Sequence, residues 1–79
     1  MRIFYEKHAE KYLRSLPDKK QIRIENAINA IPDGDIVLLK GSGDVYRLRV
    51  GPDRVIFTKG DGETIYILLI GPRGDVYKK

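Results

Sequence analysis

The spacing of hydrophobic residues changes from a helical to a strand-like pattern near residue 32. Before that point, two stripes of apolar residues recur at i, i+3, i+4 and i+7, the spacing of one helix face. The first stripe comprises Ala9, Tyr12, Leu13 and Leu16, and the second comprises Ile24, Ala27, Ile28 and Ile31. They predict helices over residues 6–16 and about 18–30. The short connection at Pro17 predicts an antiparallel helical hairpin.

The ends of the second helix carry sequence signals of their own. Asp18 is expected to be its N-cap, with Gln21 three residues later completing a variant of the capping box. At the other end, Pro32 disfavours helical geometry in the residue before it, and Gly34 completes the stop.

Alternating or continuous apolar runs predict strands in the rest of the chain. The predicted strands cover residues 1–5, 36–40, 45–50, 54–59 and 64–70. Turn signals at Gly51-Pro52-Asp53 and Gly60-Asp61-Gly62 separate the last three of them. Because the last four strands follow one another through short connections, we expect them to pair antiparallel. The final strand is apolar on both faces and is expected to lie inside the sheet.

These elements define an α+β fold with the order β-α-α-β-β-β-β. An N-terminal strand and a helical hairpin precede an antiparallel meander of three to four strands, and the helices pack on one face of the sheet. The chain has no repeat, low-complexity tract or linker, so a single domain over residues 1–79 is expected.

Composition narrows the classes of function. The net charge is +4, with seven basic and six acidic side chains in residues 1–39 and eight and five in residues 40–79. This excess favours nucleic acid or another acidic partner, although surface solubility explains it equally well. With no cysteine and one histidine, a Cys-rich or His-rich metal site is excluded, and we expect no cofactor. No apolar run is long enough for a membrane helix, and the lack of cysteine fits the cytoplasm.

The predicted strand over residues 45–50 carries the most informative chemistry. Arg47 and Arg49 share one of its faces, about 7 Å apart at roughly 3.3 Å per residue. Arg54 begins the next strand, just across the turn. Because like charges repel, this cluster needs a reason. It is either an ion-pair network with Asp44, Asp53, Glu63 or Asp75, or a phosphate site that matches the guanidinium fork.

Two further residues follow the last strand. Arg73 lies in the turn Gly71-Pro72-Arg73-Gly74, and Tyr77 stands four residues later. Tyr77 is either a terminal aromatic residue packed on the core or a functional group beside the arginines.

Three segments of the chain resemble the RelE/ParE superfamily of toxin–antitoxin toxins. They are YRLRVG at residues 46–51, RVIF at residues 54–57 and IGPRGDVY at residues 70–77. Residues 9–13 and Leu16-Pro17 are similar to the first-helix pattern of the same families, so the resemblance covers essentially the whole chain. RelE-type toxins are metal-independent endoribonucleases that cut mRNA in the ribosomal A site, and the resemblance implies a cognate antitoxin. The presence of both Arg73 and Tyr77 favours this branch.

The resemblance also implies roles for individual residues. It gives a catalytic set of Arg49, Arg54, Arg73 and Tyr77, and an RNA-binding set of Arg47, Arg49 and Lys40. RNA supplies its own nucleophile, the 2′-OH. Tyr77 would take its proton as a phenolate, which requires neighbouring arginines to lower its pKa from about 10. Arg49 and Arg54 would hold the phosphate oxygens, and Arg73 would stabilise or protonate the leaving group.

Two other classes of function remain open at this point. A ParE-like toxin shares the fold but poisons DNA gyrase, and it would show no RNA cleavage. A catalytically degenerate homologue would keep the basic face and bind RNA without cutting it.

Overall fold

A computed structural model of the chain describes residues 1–39 and 43–72. The helices are α1 (Lys7–Arg14) and α2 (Asp18–Asn29). The strands are β1 (Arg2–Tyr5), β2 (Asp35–Leu38), β3 (Val45–Val50), β4 (Asp53–Lys59) and β5 (Thr64–Pro72). The α+β class and the order β-α-α-β-β-β-β are thus confirmed. No helix in these residues is long and apolar enough to cross a membrane.

The strands form one mixed sheet with the order β1-β5-β4-β3-β2. Strands β2 to β5 form the predicted antiparallel meander, whereas β1 pairs in parallel with β5. A parallel pair requires a long connection between its strands, and the helical hairpin and the rest of the meander supply it here. The interior position predicted for β5 is confirmed, because β1 and β4 flank it.

The helices pack on one face of this sheet, and the core lies between the two layers. Its fully buried large side chains are Leu13, Ile24, Ile28, Leu48, Val55, Phe57 and Ile67. Within β3 the alternation is as predicted, since Leu48 and Val50 are buried in the core while Arg49 is exposed. The sheet face away from the helices is called the open face below.

The start of α2 differs from the predicted capping box. Pro17 is the N-cap residue, and its carbonyl accepts hydrogen bonds from the amides of Lys20 and Gln21. Asp18 is already inside the helix, where its charge favours the positive end of the helix dipole. The side-chain amide of Gln21 instead donates a hydrogen bond from Nε2 to the carbonyl of Leu16 at 2.8 Å. It therefore contacts the segment that follows α1 and does not cap α2.

An irregularity in β5 sets which of its side chains reach the open face. Ile56 pairs with Leu69 and Phe57 pairs with Ile67, so Leu68 is an extra residue in β5. Such a bulge shifts the alternation by one position. Tyr66 and Leu69 therefore both lie on the open face, where they are 42% and 38% exposed. The apolar composition of β5 on both faces thus leaves apolar side chains in solvent.

Candidate functional site

The arginines singled out by the sequence lie together on the open face. Arg49 of β3 stands directly opposite Arg54 of β4 and, on its other side, opposite Asp35 of β2. Arg47 stands one row further along, opposite Ile56. We refer to Arg47, Arg49 and Arg54 as the arginine cluster.

Arg49 and Arg54 form a like-charged cross-strand pair. Side chains that stand directly opposite have Cβ atoms about 4.5–5.5 Å apart, and like charges there destabilise a sheet. Two unit charges about 6 Å apart repel by about 0.7 kcal/mol in bulk water and about 3 kcal/mol at an effective dielectric constant of about 20. Arg54 is held in place by long hydrogen bonds from Nη1 to the carbonyls of Gly51 and Asp53, at 3.4 and 3.3 Å.

Part of the cluster is neutralised by a carboxylate that differs from the predicted ones. Asp35 accepts a hydrogen bond from Arg47 Nη2 at 3.1 Å, and its second oxygen lies 4.0 Å from Arg49 Nη1. Both contacts follow from the pairing of β2 with β3, which places Asp35 beside the two arginines. The ion-pair alternative is therefore correct in part, and one carboxylate serves two of the three arginines.

The carboxylates named from the sequence have other positions. Asp53 points to the helix side, is 4% exposed and accepts a long hydrogen bond from the Tyr12 hydroxyl at 3.5 Å. Glu63 lies 3.3 Å from the amino group of Met1. No ion pair links Asp44 to the cluster among the described residues, and Asp75 lies outside them.

Two guanidinium nitrogens of the cluster are buried and make no hydrogen bond within residues 1–39 and 43–72. The Nε atoms of Arg47 and Arg54 make no hydrogen bond to any described residue, although the side chain of Arg47 is only 17% exposed. Buried polar groups are almost always hydrogen-bonded, so these two donors are available to an acceptor from outside the described residues. A cleft of about 220 Å³ opens at the Arg54 end of the cluster, lined by Arg49, Gly51, Pro52 and Arg54.

A fourth arginine, Arg23, lies against Gly51, one of the residues that line this cleft, and the sequence did not suggest it. The guanidinium of Arg23 lies over Gly51, since a Cβ atom there would come within 3.0–3.2 Å of its atoms. Gly51 has a φ of +59° and forms the two-residue turn between β3 and β4 with Pro52. Arg23 stands beside the apolar stripe of α2, and only the docking of α2 on the sheet brings it to this turn.

The remaining predicted site residues cannot be placed. Lys40, Arg73 and Tyr77 lie outside the described residues, and β5 ends at Pro72, one residue before Arg73. Tyr5 of β1, Tyr46 of β3 and Tyr12 of α1 pack against the core, away from the open face. Burial, followed by the charge of Glu25, raises the pKa of Tyr5, and burial followed by Asp53 raises the pKa of Tyr12. Both therefore keep their protons at neutral pH and are unsuitable as general bases.

Solved structures with this fold are RelE–RelB toxin–antitoxin complexes. The archaeal RelE–RelB complex from Pyrococcus horikoshii is 32% identical, with a TM-score of 0.74, over 95% of this chain and 97% of that one. The RelB–RelE complex from Methanococcus jannaschii is 25% identical, with a TM-score of 0.64, over 87% of this chain and 88% of that one. The RelBE2 complex from Mycobacterium tuberculosis is 19% identical, with a TM-score of 0.76, over 94% of this chain and 92% of that one. At this identity the similarity shows the fold alone. No family model and no curated protein matches the chain.

The fold and the near-complete coverage define a small toxin of the RelE/ParE superfamily. The identity to the Pyrococcus protein places the chain within its RelE branch. The chain belongs to the RelE family of toxins from toxin–antitoxin systems.

Proposed function

We propose that this toxin is a metal-independent endoribonuclease that cleaves mRNA in the ribosomal A site and so inhibits translation. The observation that carries the proposal is the pairing of Arg49 with Arg54, two like charges held opposite each other beside a cleft. The Nε atoms of Arg47 and Arg54, which make no hydrogen bond to a described residue, support it, because a phosphate offers them acceptor oxygens.

The chemistry needs few groups, because the RNA carries its nucleophile. The 2′-oxygen attacks the adjacent phosphorus, the bond to the 5′-oxygen breaks, and a cyclic phosphate and a free 5′-hydroxyl result. Arg49 and Arg54 balance the charge that develops on the phosphate oxygens. We assign proton removal from the 2′-OH to Tyr77. Arg73 stabilises the leaving oxygen, which takes its proton from Arg73 or from water.

The binding roles divide along the cluster. Arg47 and Arg49 hold the backbone phosphates, and Lys40, two residues after β2 in the sequence, adds a further charge. Such a site is weak by itself, because the phenolate form of tyrosine that it needs is scarce at neutral pH. The ribosome supplies the alignment by holding the codon in a fixed conformation, which lowers the entropic cost of reaction.

A cognate antitoxin is the second partner that we propose. The Pyrococcus and Methanococcus neighbours are complexes of RelE with RelB, and the arginine cluster, in which Asp35 is the one carboxylate paired with any of the three cations among the described residues, favours an acidic segment. Co-expression with the product of the adjacent open reading frame is expected to give a stable complex with a higher Tm than the toxin alone. A neighbouring product that never co-purifies would contradict this proposal.

The test of cleavage is in vitro translation with mapping of the new 5′ ends on the message. The wild-type protein should produce cuts within codons, and Arg49→Ala and Arg54→Ala should each slow cleavage by about 10²–10³-fold, as for loss of an oxyanion-stabilising group. Lys7→Ala is the charge-matched control, because Lys7 is exposed on α1 on the other side of the sheet. A wild-type protein that cuts nothing but inhibits supercoiling by gyrase would establish the ParE-like alternative instead.

A further inference from the structure

A pair of exposed aromatic rings lies on the open face, two rows away from Arg49 and Arg54. Phe4 of β1 stands directly opposite Tyr66 of β5, and their rings stack with centroids 5.7 Å apart at an angle of 22°. Phe4 is 49% exposed and Tyr66 42%, and Leu69 in the next row is 38% exposed. These three side chains are called the aromatic strip.

The position of the Tyr66 ring is fixed from two sides. Phe4 stacks on it, and the backbone of Gly60 lies against it so closely that a Cβ atom there would come within 2.4 Å of its Cε2. Phe4 is on β1, which is an edge strand of the sheet. Its ring face away from Tyr66 therefore lies at the outer side of that edge and can receive another planar group.

The charge around the aromatic strip identifies the kind of partner. On the open face, the described strands carry the charged side chains Arg2, Arg47, Arg49, Arg54 and Asp35. Arg2 stands two residues before Phe4 on the same face, so a cation lies at each end of the strip. Aromatic rings between arginines are the pattern by which proteins hold single-stranded RNA, with bases on the rings and phosphates on the guanidiniums.

We propose that Phe4, supported by Tyr66, is a stacking subsite for one base of a single-stranded RNA whose backbone also contacts Arg2. This inference rests on the proposed function, since the same RNA reaches the arginine cluster. Thr58 of β4 pairs with Tyr66 and lies four residues after Arg54. The distance along β4 between these two residues is about 13 Å, at roughly 3.3 Å per residue. A stacked strand covers that distance in roughly four nucleotides. The stacked base thus lies outside the cleaved codon, and the contact tolerates any sequence.

The test is fluorescence anisotropy of the purified toxin with labelled oligoadenylates. A trinucleotide bound at the arginine cluster is too short to reach Phe4, whereas an octanucleotide spans the arginine cluster and the stacking subsite. Both oligonucleotides are 2′-O-methylated, which removes the nucleophile and prevents cleavage. Phe4→Leu keeps the apolar bulk but removes the ring. It should weaken octanucleotide binding by about 5–140-fold, the equivalent of one base stack, and leave trinucleotide binding unchanged. Phe4→Trp should restore octanucleotide binding.

Controls separate stacking from folding and from the proposed function. Ile22→Ala should change neither affinity, because Ile22 is similarly exposed at 56% but lies on α2. Circular dichroism checks that each variant is folded. Equal octanucleotide affinity in wild type and Phe4→Leu overturns the subsite, as does the absence of octanucleotide binding by wild type. Loss of antitoxin binding alone in Phe4→Leu assigns the strip to protein docking and also overturns it. A different result would contradict the proposed function: wild-type toxin that cleaves no mRNA on ribosomes, or cleavage at the same rate in Arg49→Ala.

Discussion

Asp35 is the residue whose replacement best separates a structural ion-pair network from a phosphate site. Asn at this position keeps the shape and one acceptor oxygen but removes the charge that Arg47 and Arg49 share. At 3.1 Å, the Coulomb energy with Arg47 is about 1.3 kcal/mol in bulk water and about 5 kcal/mol at an effective dielectric constant of about 20, before desolvation. Asp35 is 53% exposed, so the net contribution is about 1 kcal/mol.

Two opposite effects of Asp35→Asn are therefore expected. The free energy of unfolding should fall by about 1 kcal/mol, which lowers the Tm of a domain this size by about 4–8 °C. RNA affinity should rise, because both arginines become free to bind phosphate. The slope of log K against log salt for single-stranded RNA should steepen by about 0.7 for each phosphate gained. The measurements are thermal unfolding by circular dichroism and anisotropy titrations at several salt concentrations.

Arg47→Ala provides the matched background for this experiment. Once Arg47 is absent, Asp35→Asn should have a much smaller effect on stability, because its closest partner is gone. A variant Asp35→Asn that is less stable but binds RNA with unchanged affinity and salt slope would refute the phosphate site. The ion pairs of the arginine cluster would then stabilise the sheet and would not bind phosphate.

Three further substitutions have measurable effects on cleavage or on stability. Tyr77→Phe should reduce ribosomal cleavage by about 10²–10⁴-fold in single turnover if the hydroxyl moves a proton, whereas a stacking role would survive in Phe. Gly51→Ala should destabilise the protein by about 1–2 kcal/mol in urea unfolding, because of its positive φ and the overlying Arg23; unchanged stability would contradict the turn geometry. The raised pKa of Tyr12 means that the unfolded chain loses this proton first above about pH 10, so stability falls there. Tyr12→Phe, which also removes the bond to Asp53, should make that fall shallower, and an unchanged slope between pH 9 and 11 would count against it.

Local pattern predicted much of the sheet and part of the site. The alternation of β3 placed Arg47 and Arg49 on the face away from the core, because the side-chain period of a strand depends only on neighbouring residues. The short β3–β4 turn then placed Arg54 beside them. The order of elements was predictable for the same reason, since each stripe and each turn signal is local.

The residues that were missed depend on contacts between distant segments. Asp35 pairs with Arg47 and Arg49 because of the register between β2 and β3, which the pattern within each strand did not predict. Arg23 reaches Gly51 only through the packing angle of α2 on the sheet. The capping box at Asp18 was wrong because Pro17 already supplies the carbonyl that begins the helix, which leaves Asp18 inside it. The positions of Lys40, Arg73 and Tyr77 stay predictions.

The parallel pairing of the first and last strands has a consequence for how this protein folds. Arg2 pairs with Thr64, so β1 can join the sheet only after nearly the whole chain has been synthesised. Contacts between residues this far apart in sequence carry a large loop-closure entropy and slow folding. The β3–β4 hairpin can form before β5 is synthesised, since its two strands are joined by a two-residue turn. A nascent chain therefore contains the arginine cluster before β5 and β1 can complete the sheet.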